Sequence, residues 1–595
     1  AEQAIQDSLT NLQTESALRV PGVRLAALAQ TLNNQGNLQF AQGQMQQALL
    51  SWEKAADFYA QVGNPIGILR SQINQAQALQ TLGLYRRALK ILTQVSQDLS
   101  NQPDSTLKAV SLRILGNTLR LTGELERSEQ ILQESLAIAQ RLSSLEDEGM
   151  ALLNLGKTAQ AKNDLPTALA FYQQAASLAT SPSTRLQSHL AQLNVLIDTQ
   201  QWTTAIALLG AIKDNLAQLP PSHSKVYGQI NLADNLMRLQ QVQTTPALNV
   251  TVPSWKEIAQ LLMDAIQQAE QLGDKQAEAY ALGSLGKVYE NTQQVLIAQT
   301  LTERALIIAQ AINVPEITYR WQWQLGRLLH HQGKREAAIQ AYSEAVKTLQ
   351  SIRSDLVSNP DIQFSFREQV EPVYRELVSL LLEKNAQGDV SQANLIQARD
   401  VIESLQLAEL DNFLREACLE AKPVQIDQVD PQAAVIYSII LRDRLAVILS
   451  LPQQPLRHYA VSLSQEKLEK LMTQLSYKLV VRSRREFFEP AQQLYDWLIR
   501  PAEIALAQSG VKTLVFVLDG ALRNIPMASL YDGKHYLVEQ YSIAITPGLQ
   551  LLAPQALQPR QLTALTAGLT QEREGFAPLN YIVQELAAVQ AKIPS

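Results

Sequence analysis

Two rhythms of apolar and polar residues divide this chain. Up to about residue 420 the apolar positions return every three to four residues, the spacing that gathers them on one side of a helix. Farther on, short and nearly continuous apolar runs alternate with polar turns, which predicts strands. The helical part also repeats at longer range. Segments such as "RILGNTLRLTGELERSEQILQESL", "LNLGKTAQAKNDLPTALAFYQQAASL" and "WQLGRLLHHQGKREAAIQAYSEAV" align on one small residue. The alignment points Gly36, Ala76, Gly116 and Gly156 stand forty residues apart, as do Gly286 and Gly326.

Other small residues recur in phase. Ala48, Ala88, Ala168, Ala298 and Ala338 follow their alignment points by twelve residues, and Ala55, Ala175, Ala305 and Ala345 by nineteen. A bulky residue, Trp52, Tyr172 or Tyr342, lies between them. Small side chains let two antiparallel helices approach closely, and the bulky one is expected to fill the gap toward the next pair. Gly43, Gly83, Gly123 and Gly333 are placed to end the first helix of a pair. The pattern resembles the tetratricopeptide repeat, in a form with long helices. It predicts an α-solenoid of about eight helical hairpins, with two degenerate pairs between 185 and 275 and an inserted loop at 243–255.

Residues 351–422 keep the helical rhythm but lose the forty-residue phase, so a helical neck is expected after the array of residues 1–350. "KPVQIDQVDP" reads as a linker. Residues 423–595 read as an α/β layered domain with an open sheet. "AAVIYSIILRDRLAVILSL" is a hairpin about Arg442, Asp443 and Arg444, and "RHYAVSL" is a third strand. Two helices come next, "SQEKLEKLMTQL" and "EPAQQLYDWLIRPAEIALAQSG". "TLVFVL" is apolar on both faces, as a buried parallel strand should be. "YSIAITPG" and "LTALTAGL" are later strands, and "LNYIVQELAAVQAKI" is a closing helix.

Composition narrows the classes of partner. A net charge of −6 over 595 residues supplies no basic footprint for nucleic acid and no polybasic membrane anchor. No stretch approaches the roughly 20 unbroken apolar residues of a membrane span. The single cysteine, Cys418, rules out an internal disulfide framework and a Cys-rich metal site, and it fits a reducing cytoplasm.

Chemistry is expected on the concave wall of the solenoid, where such arrays bind peptides or protein segments. The residue after each alignment point should face that wall, giving Asn37, Gln77, Asn117, Lys157, Lys287 and Arg327, with Asn33 and Arg113 one turn before. Amides and cations there suit the backbone or a carboxylate of an extended partner. No metal or cofactor is expected. "GSLGK" at 283–287 lacks the spacing of a phosphate loop and falls inside a repeat helix, and neither H-E-x-x-H nor G-x-S-x-G occurs. His330 and His331 are neighbours on a helix and point about 100° apart, so they do not form a metal pair. Cys418, in the neck, lacks a positioned base.

The stretch "LVFVLDGALRNIPMASL" and the residues C-terminal to it carry a second resemblance. Asp519, Gly520, Leu522, Pro526, Leu530, Leu537 and the Pro547–Gly548 corner, with Pro578, Leu579 and Glu585 behind them, resemble the CHAT domain, a caspase-like peptidase fold often preceded by tetratricopeptide repeats. The resemblance implies a cysteine endopeptidase with a His–Cys dyad, the His in a His–Gly pair after a strand and the Cys at the end of the next parallel strand. Both positions are expected beyond Ser595. Asp519 itself is read as a turn former. An incomplete caspase-like sheet would leave a buried parallel strand at an open edge. Continuation of the chain, or a second chain, is therefore expected to complete it, the alternative being that the domain is a degenerate remnant. Two functions compete: a cysteine endopeptidase gated by ligand binding to the array, and a non-enzymatic scaffold whose C-terminal domain serves for docking.

Overall fold

Small residues at fixed spacing set how the helices pair. The computed structural model of the protein describes residues 2–14, 21–242, 252–352, 369–385, 388–414, 430–480, 486–546 and 581–592. It separates into two units, Ala1–Cys418 and Leu419–Ser595.

The first unit opens with α1 (Glu2–Thr14) and continues as eight helix pairs. These are α2 (Pro21–Ala41) with α3 (Met45–Gln61), α4 (Pro65–Thr81) with α5 (Tyr85–Ser100), α6 (Thr106–Leu121) with α7 (Leu125–Arg141), and α8 (Leu145–Ala161) with α9 (Leu165–Leu178). In the fifth pair α10 (Pro182–Asp198) faces a second helix broken into α11 (Trp202–Ala207) and α12 (Leu209–Gln218). The last three are α13 (His223–Val242) with α14 (Trp255–Leu272), α15 (Lys275–Asn291) with α16 (Val295–Ala311), and α17 (Pro315–His331) with α18 (Arg335–Ser351). The two irregular pairs of the sequence are the fifth and sixth.

The alanines of the repeat meet at the helix crossings, where Ala48, Ala88, Ala168, Ala298 and Ala338 are wholly buried, as are Ala55, Ala175, Ala305 and Ala345. The bulky residue fills a gap within its own pair and also shares a core with the next one, Trp52 with Leu69 and Ile73 of α4 and Tyr172 with Val195 of α10. A Cβ on Gly36 would meet the Trp52 ring at 2.5 Å, and one on Gly156 would meet Tyr172 at 2.5 Å. The glycine leaves a notch in the first helix, and the aromatic ring of the second helix occupies it. Gly43, Gly83, Gly123 and Gly333 take φ of 84°, 75°, 82° and 73° in the turn between the helices, the left-handed region that favours glycine.

Beyond α18 the neck helices Glu371–Leu381 and Gln392–Leu414 pack on one another, and the first packs on α18. Residues 353–368, most of the 243–255 loop, Cys418 and nearly all of the linker lie outside the described residues.

The second unit holds a five-stranded sheet in the order β3-β2-β1-β4-β5, with β1 at Ala433–Ile440, β2 at Arg444–Ser450, β3 at Arg457–Ser462, β4 at Thr513–Val517 and β5 at Ser542–Thr546. The hairpin β1–β2 and the pair β2–β3 are antiparallel, and β4 runs parallel to both β1 and β5. Leu514 and Phe516 point into a core with Leu468, Leu475, Leu494 and Leu498 from the covering helices. Val515 and Val517, on the opposite face by the two-residue period of a strand, are buried too. The buried parallel strand is therefore not left at an edge, because β5 pairs along all of β4. The residues after Thr546, with "LTALTAGL", Pro547, Gly548, Pro578 and Leu579, lie outside the described residues.

One helix of this unit departs from expectation. "EPAQQLYDWLIRPAEIALAQSG" is not continuous but runs as Phe488–Leu498, a 3-10 turn at Arg500–Ala502 and a short helix at Glu503–Gln508. Pro501 has no N–H to donate and its ring blocks the regular helical path, so the chain tightens there.

Candidate functional site

Hydrogen bonds run from one first helix of the array to the next and mark the face these helices share. At the N-terminal end Asn74 Nδ2 of α4 donates to Asn33 Oδ1 of α2 at 3.3 Å and lies 3.5 Å from Asn37 Oδ1. Gln80 Nε2 donates to the Ile114 carbonyl at 3.0 Å, and Asn117 Nδ2 of α6 reaches Gln80 Oε1 at 3.4 Å. Arg120 donates to Asn117 Oδ1 at 2.8 Å. This half of the face is a line of amides, several of them held by long, weak bonds.

Arg113 stands one turn before Asn117. Burial lowers its pKa, against the opposing pull of Asp147 and Glu146, and its Nε has no hydrogen-bond partner. Lys157 is half-buried on α8, beside Asn154, whose amide donates to the Met150 carbonyl at 2.7 Å.

The C-terminal half is charged and aromatic. Arg238 of α13 pairs with Asp198 of α10. Burial raises the Asp234 carboxyl above its ordinary value, and the nearby cations Lys287, Arg320 and Arg238 only partly offset this. Arg320 donates to Tyr280 Oη at 2.6 Å and to Gln369 Oε1 at 2.6 Å. Arg327 makes a bidentate bond to Glu290, with Nε–Oε1 at 2.6 Å and Nη2–Oε2 at 2.9 Å, and its guanidinium lies 4.5 Å from the Trp323 ring centre. Such a forked, stacked arginine is among the stronger ion pairs a protein makes. Trp323 Nε1 and Tyr342 Oη both donate to Glu376 Oε2 in the first neck helix, each at 2.8 Å.

The structure thus brings Asn33 and Asn37 together through Asn74, and sets Asn117 between Gln80 and Arg120. Asn33 is 4% exposed and Asn37 is open. Lys287 faces Asp234, and Arg327 is engaged by Glu290. Sequence reasoning missed Asn74, Arg120, Asp234, Arg320, Trp323 and Glu376. Asn74 and Arg320 stand one turn and two turns before Gln77 and Arg327, so helical spacing could have added them. Nothing local in the sequence pointed to Glu376.

Among the described residues no group of three His, Cys, Asp or Glu is placed to hold a metal ion, and no helix is long and apolar enough to cross a membrane. Gly283–Lys287 lies within α15, in a regular helix.

In the second unit, Asp519 does more than turn the chain. Its backbone is extended at φ −104° and ψ 143°, it is 1% exposed, and its carboxylate accepts the Ile440 N–H at 2.8 Å. It ties the end of β1 to the segment leaving β4, just past the last parallel pair Tyr437–Val517. Leu522, Leu530 and Leu537 are fully buried, and the Leu537 N–H donates to the Leu530 carbonyl at 2.8 Å.

The tetratricopeptide-repeat families match residues 107–181 and 321–348, and the CHAT domain family matches residues 489–595. The chain carries tetratricopeptide repeats followed by a C-terminal CHAT domain. A CHAT domain implies the caspase-like protease family, and the repeats imply protein interaction. No curated protein matches the chain. Among solved structures it is similar to a Rap protein complexed with competence and sporulation factor, at 14% identity over 58% of this chain and 94% of that one, with a TM-score of 0.35. It is also similar to BtubC from P. vanneervenii, at 14% identity over 42% of this chain and 94% of that one, with a TM-score of 0.29.

Proposed function

We propose that this chain is the sensing portion and first part of a ligand-gated, caspase-like cysteine endopeptidase. Residues 1–350 bind a protein or peptide on the shared face of the first helices, residues 351–422 transmit the event, and residues 423–595 begin the peptidase domain. In this reading the His–Cys dyad lies beyond Ser595.

The observation that carries the reading is the direct link between face and neck. Arg320 bonds Gln369, and Trp323 and Tyr342 bond Glu376. A ligand that displaces or tightens the α17 side chains alters the bonds that hold the neck. A ligand shifts an equilibrium only by its differential contacts with the two states, and these bonds supply a difference.

The test takes the full gene product under reducing conditions, adds extracts or peptide mixtures, and tracks cleavage by mass spectrometry. Ligand-dependent cleavage that a thiol-alkylating reagent abolishes, and that Glu376→Gln uncouples from ligand binding, supports gating. Retention of protein partners with no cleavage under any condition supports the scaffold instead.

A further inference from the structure

A helical solenoid is nearly one-dimensional, each pair of helices packing on the pair before it and the pair after it. The turn between α2 and α3 departs from that rule. Gly43, in the first pair, lies against the carboxylate of Asp274, which opens α15 in the seventh. A Cβ added to Gly43 would stand 2.2 Å from Asp274 Oδ2 and 2.4 Å from its Cγ. The array has therefore come round far enough for its first pair to touch its seventh.

Both sides of the contact are shaped for it. Asn163 and Gln293 hold the equivalent turn position of the fourth and seventh pairs at φ 61° and 60°, so the turn itself accepts a side chain. At Gly83 and Gly333 an added Cβ would meet open space, whereas at Gly43 there is no room for one. On the other side, Asn64, Ser105, Ser144 and Ser181 cap the first helices α4, α6, α8 and α10 and are exposed or half-buried. Asp274 caps α15 and is 2% exposed. Its oxygens are both committed, Oδ1 to the Ala277 N–H at 3.0 Å and Oδ2 to His223 Nδ1 of α13 at 2.6 Å. The sixth and seventh pairs thus hold the carboxylate still and present it to the glycine.

The contact is also small. One side is a backbone turn and the other a single carboxylate, and each belongs to a core of its own. Ala48, Trp52 and Leu79 lie in one of these cores, and Leu262, Ala277 and Leu285 in the other. A contact with few buried apolar groups opens far more easily than the whole protein unfolds. The first pair can leave Asp274 without disturbing either core.

We infer that Gly43 and Asp274 form a clasp, which holds the array closed on itself and opens as a unit to give a second state of the same folded solenoid. Gating needs such an element, because a ligand acts only through its differential affinity for two states. For its use the clasp rests on the gated reading above, and for its existence it does not.

The test uses the intact 595-residue chain with Cys418→Ser, which removes its single cysteine, and with Gln42→Cys and Lys275→Cys on the two sides of the contact. Consecutive Cα atoms are about 3.8 Å apart, so these neighbours of a touching pair lie within reach of a short bismaleimide. A crosslink within one chain is expected, formed at a rate independent of protein concentration. Gly43→Asn, which copies the residue at the same turn position of the fourth pair, should slow it about tenfold by shifting the population to the open state. Small-angle X-ray scattering should then show a larger radius of gyration, with an unchanged circular dichroism spectrum. Gly83→Asn has the same turn facing open space and should do neither. Absence of the crosslink, a crosslink between two copies, or equal rates in the two Asn variants overturns the inference. None of these measurements involves cleavage. Failure of the gated peptidase would leave the clasp standing, and a failed crosslink would leave the peptidase standing without this element.

Discussion

Trp323 Nε1 donates to Glu376 Oε2 at 2.8 Å, joining the last repeat to a residue 53 positions later in the neck. The same oxygen accepts Tyr342 Oη at 2.8 Å, and Arg327 lies close enough to interact electrostatically. Burial, and after it the Glu376 charge, push the Tyr342 hydroxyl far above its ordinary pKa, so it stays a donor at all physiological pH. Removing the carboxylate leaves an indole N–H and a phenol without their acceptor. Glu376→Ala is expected to cost about 2–4 kcal/mol in urea unfolding, and Glu376→Gln, which keeps one oxygen, roughly half of that. Limited proteolysis of the neck should speed up in both variants. An unchanged proteolysis rate in Glu376→Ala would show that this bond does not hold the neck.

Glu146 gives the array a pH dependence of known sign. Desolvation pushes its carboxyl up, but the hydroxyls of Thr184, Ser181 and Thr180 and the backbone N–H of Ser181 together bring it down from 4.5 to about 2. A depressed folded-state pKa contributes stability that is fully present above the unfolded value of 4.5 and is lost as pH falls toward about 2. Wild-type protein should therefore melt above Glu146→Gln near neutral pH, and the two melting curves should converge at about pH 2.

Gly43 and Gly83 form an internal control. Both turn with positive φ, so Ala at either position costs about 1 kcal/mol in backbone strain. A Cβ on Gly83 meets open space, but one on Gly43 runs into the buried carboxylate of Asp274, at the junction of the sixth and seventh pairs. Gly43→Ala should destabilise more than Gly83→Ala by about 1–3 kcal/mol, because Asp274 also caps α15 and bonds His223 and cannot move aside freely. Equal melting temperatures would mean that this long-range contact does not form in solution.

Asp519→Ala should cost about 1–3 kcal/mol, since it leaves the Ile440 N–H at the end of β1 buried without this acceptor. Hydrogen exchange at Ile440 should accelerate, while the amides in the middle of β2 stay protected. Protection of Ile440 unchanged by the substitution would return Asp519 to the role of a simple turn residue.

The repeat was legible because its cause is local and steric. A glycine every forty residues and an alanine twelve positions later are the marks of helices that must approach closely, and both kinds of residue are buried where that reading puts them. The aromatic residue was legible as a filler toward the next pair, but its second role, filling the glycine notch of its own pair, was not, since period alone does not separate contacts within a pair from contacts between pairs. Strand identity in "AAVIYSII" and "TLVFVL" came from β-branched content, while the order β3-β2-β1-β4-β5 did not.

What the sequence determined by itself, then, is everything decided by neighbours along a helix or a strand: the period, the pairing of helices, the turns and the burial of β4. Tertiary structure alone decided which charges meet. Glu290 and Arg327 are 37 residues apart, Ile440 and Asp519 are 79 apart, and Arg320 and Gln369 are 49 apart. Their encounter depends on how successive helices stack and how strands are ordered, and a charge pair does little to set either. The energy of folding lies mainly in the apolar and small residues, which write their positions into the sequence. The polar groups are brought together by that packing, so their partnerships become visible only in the folded chain.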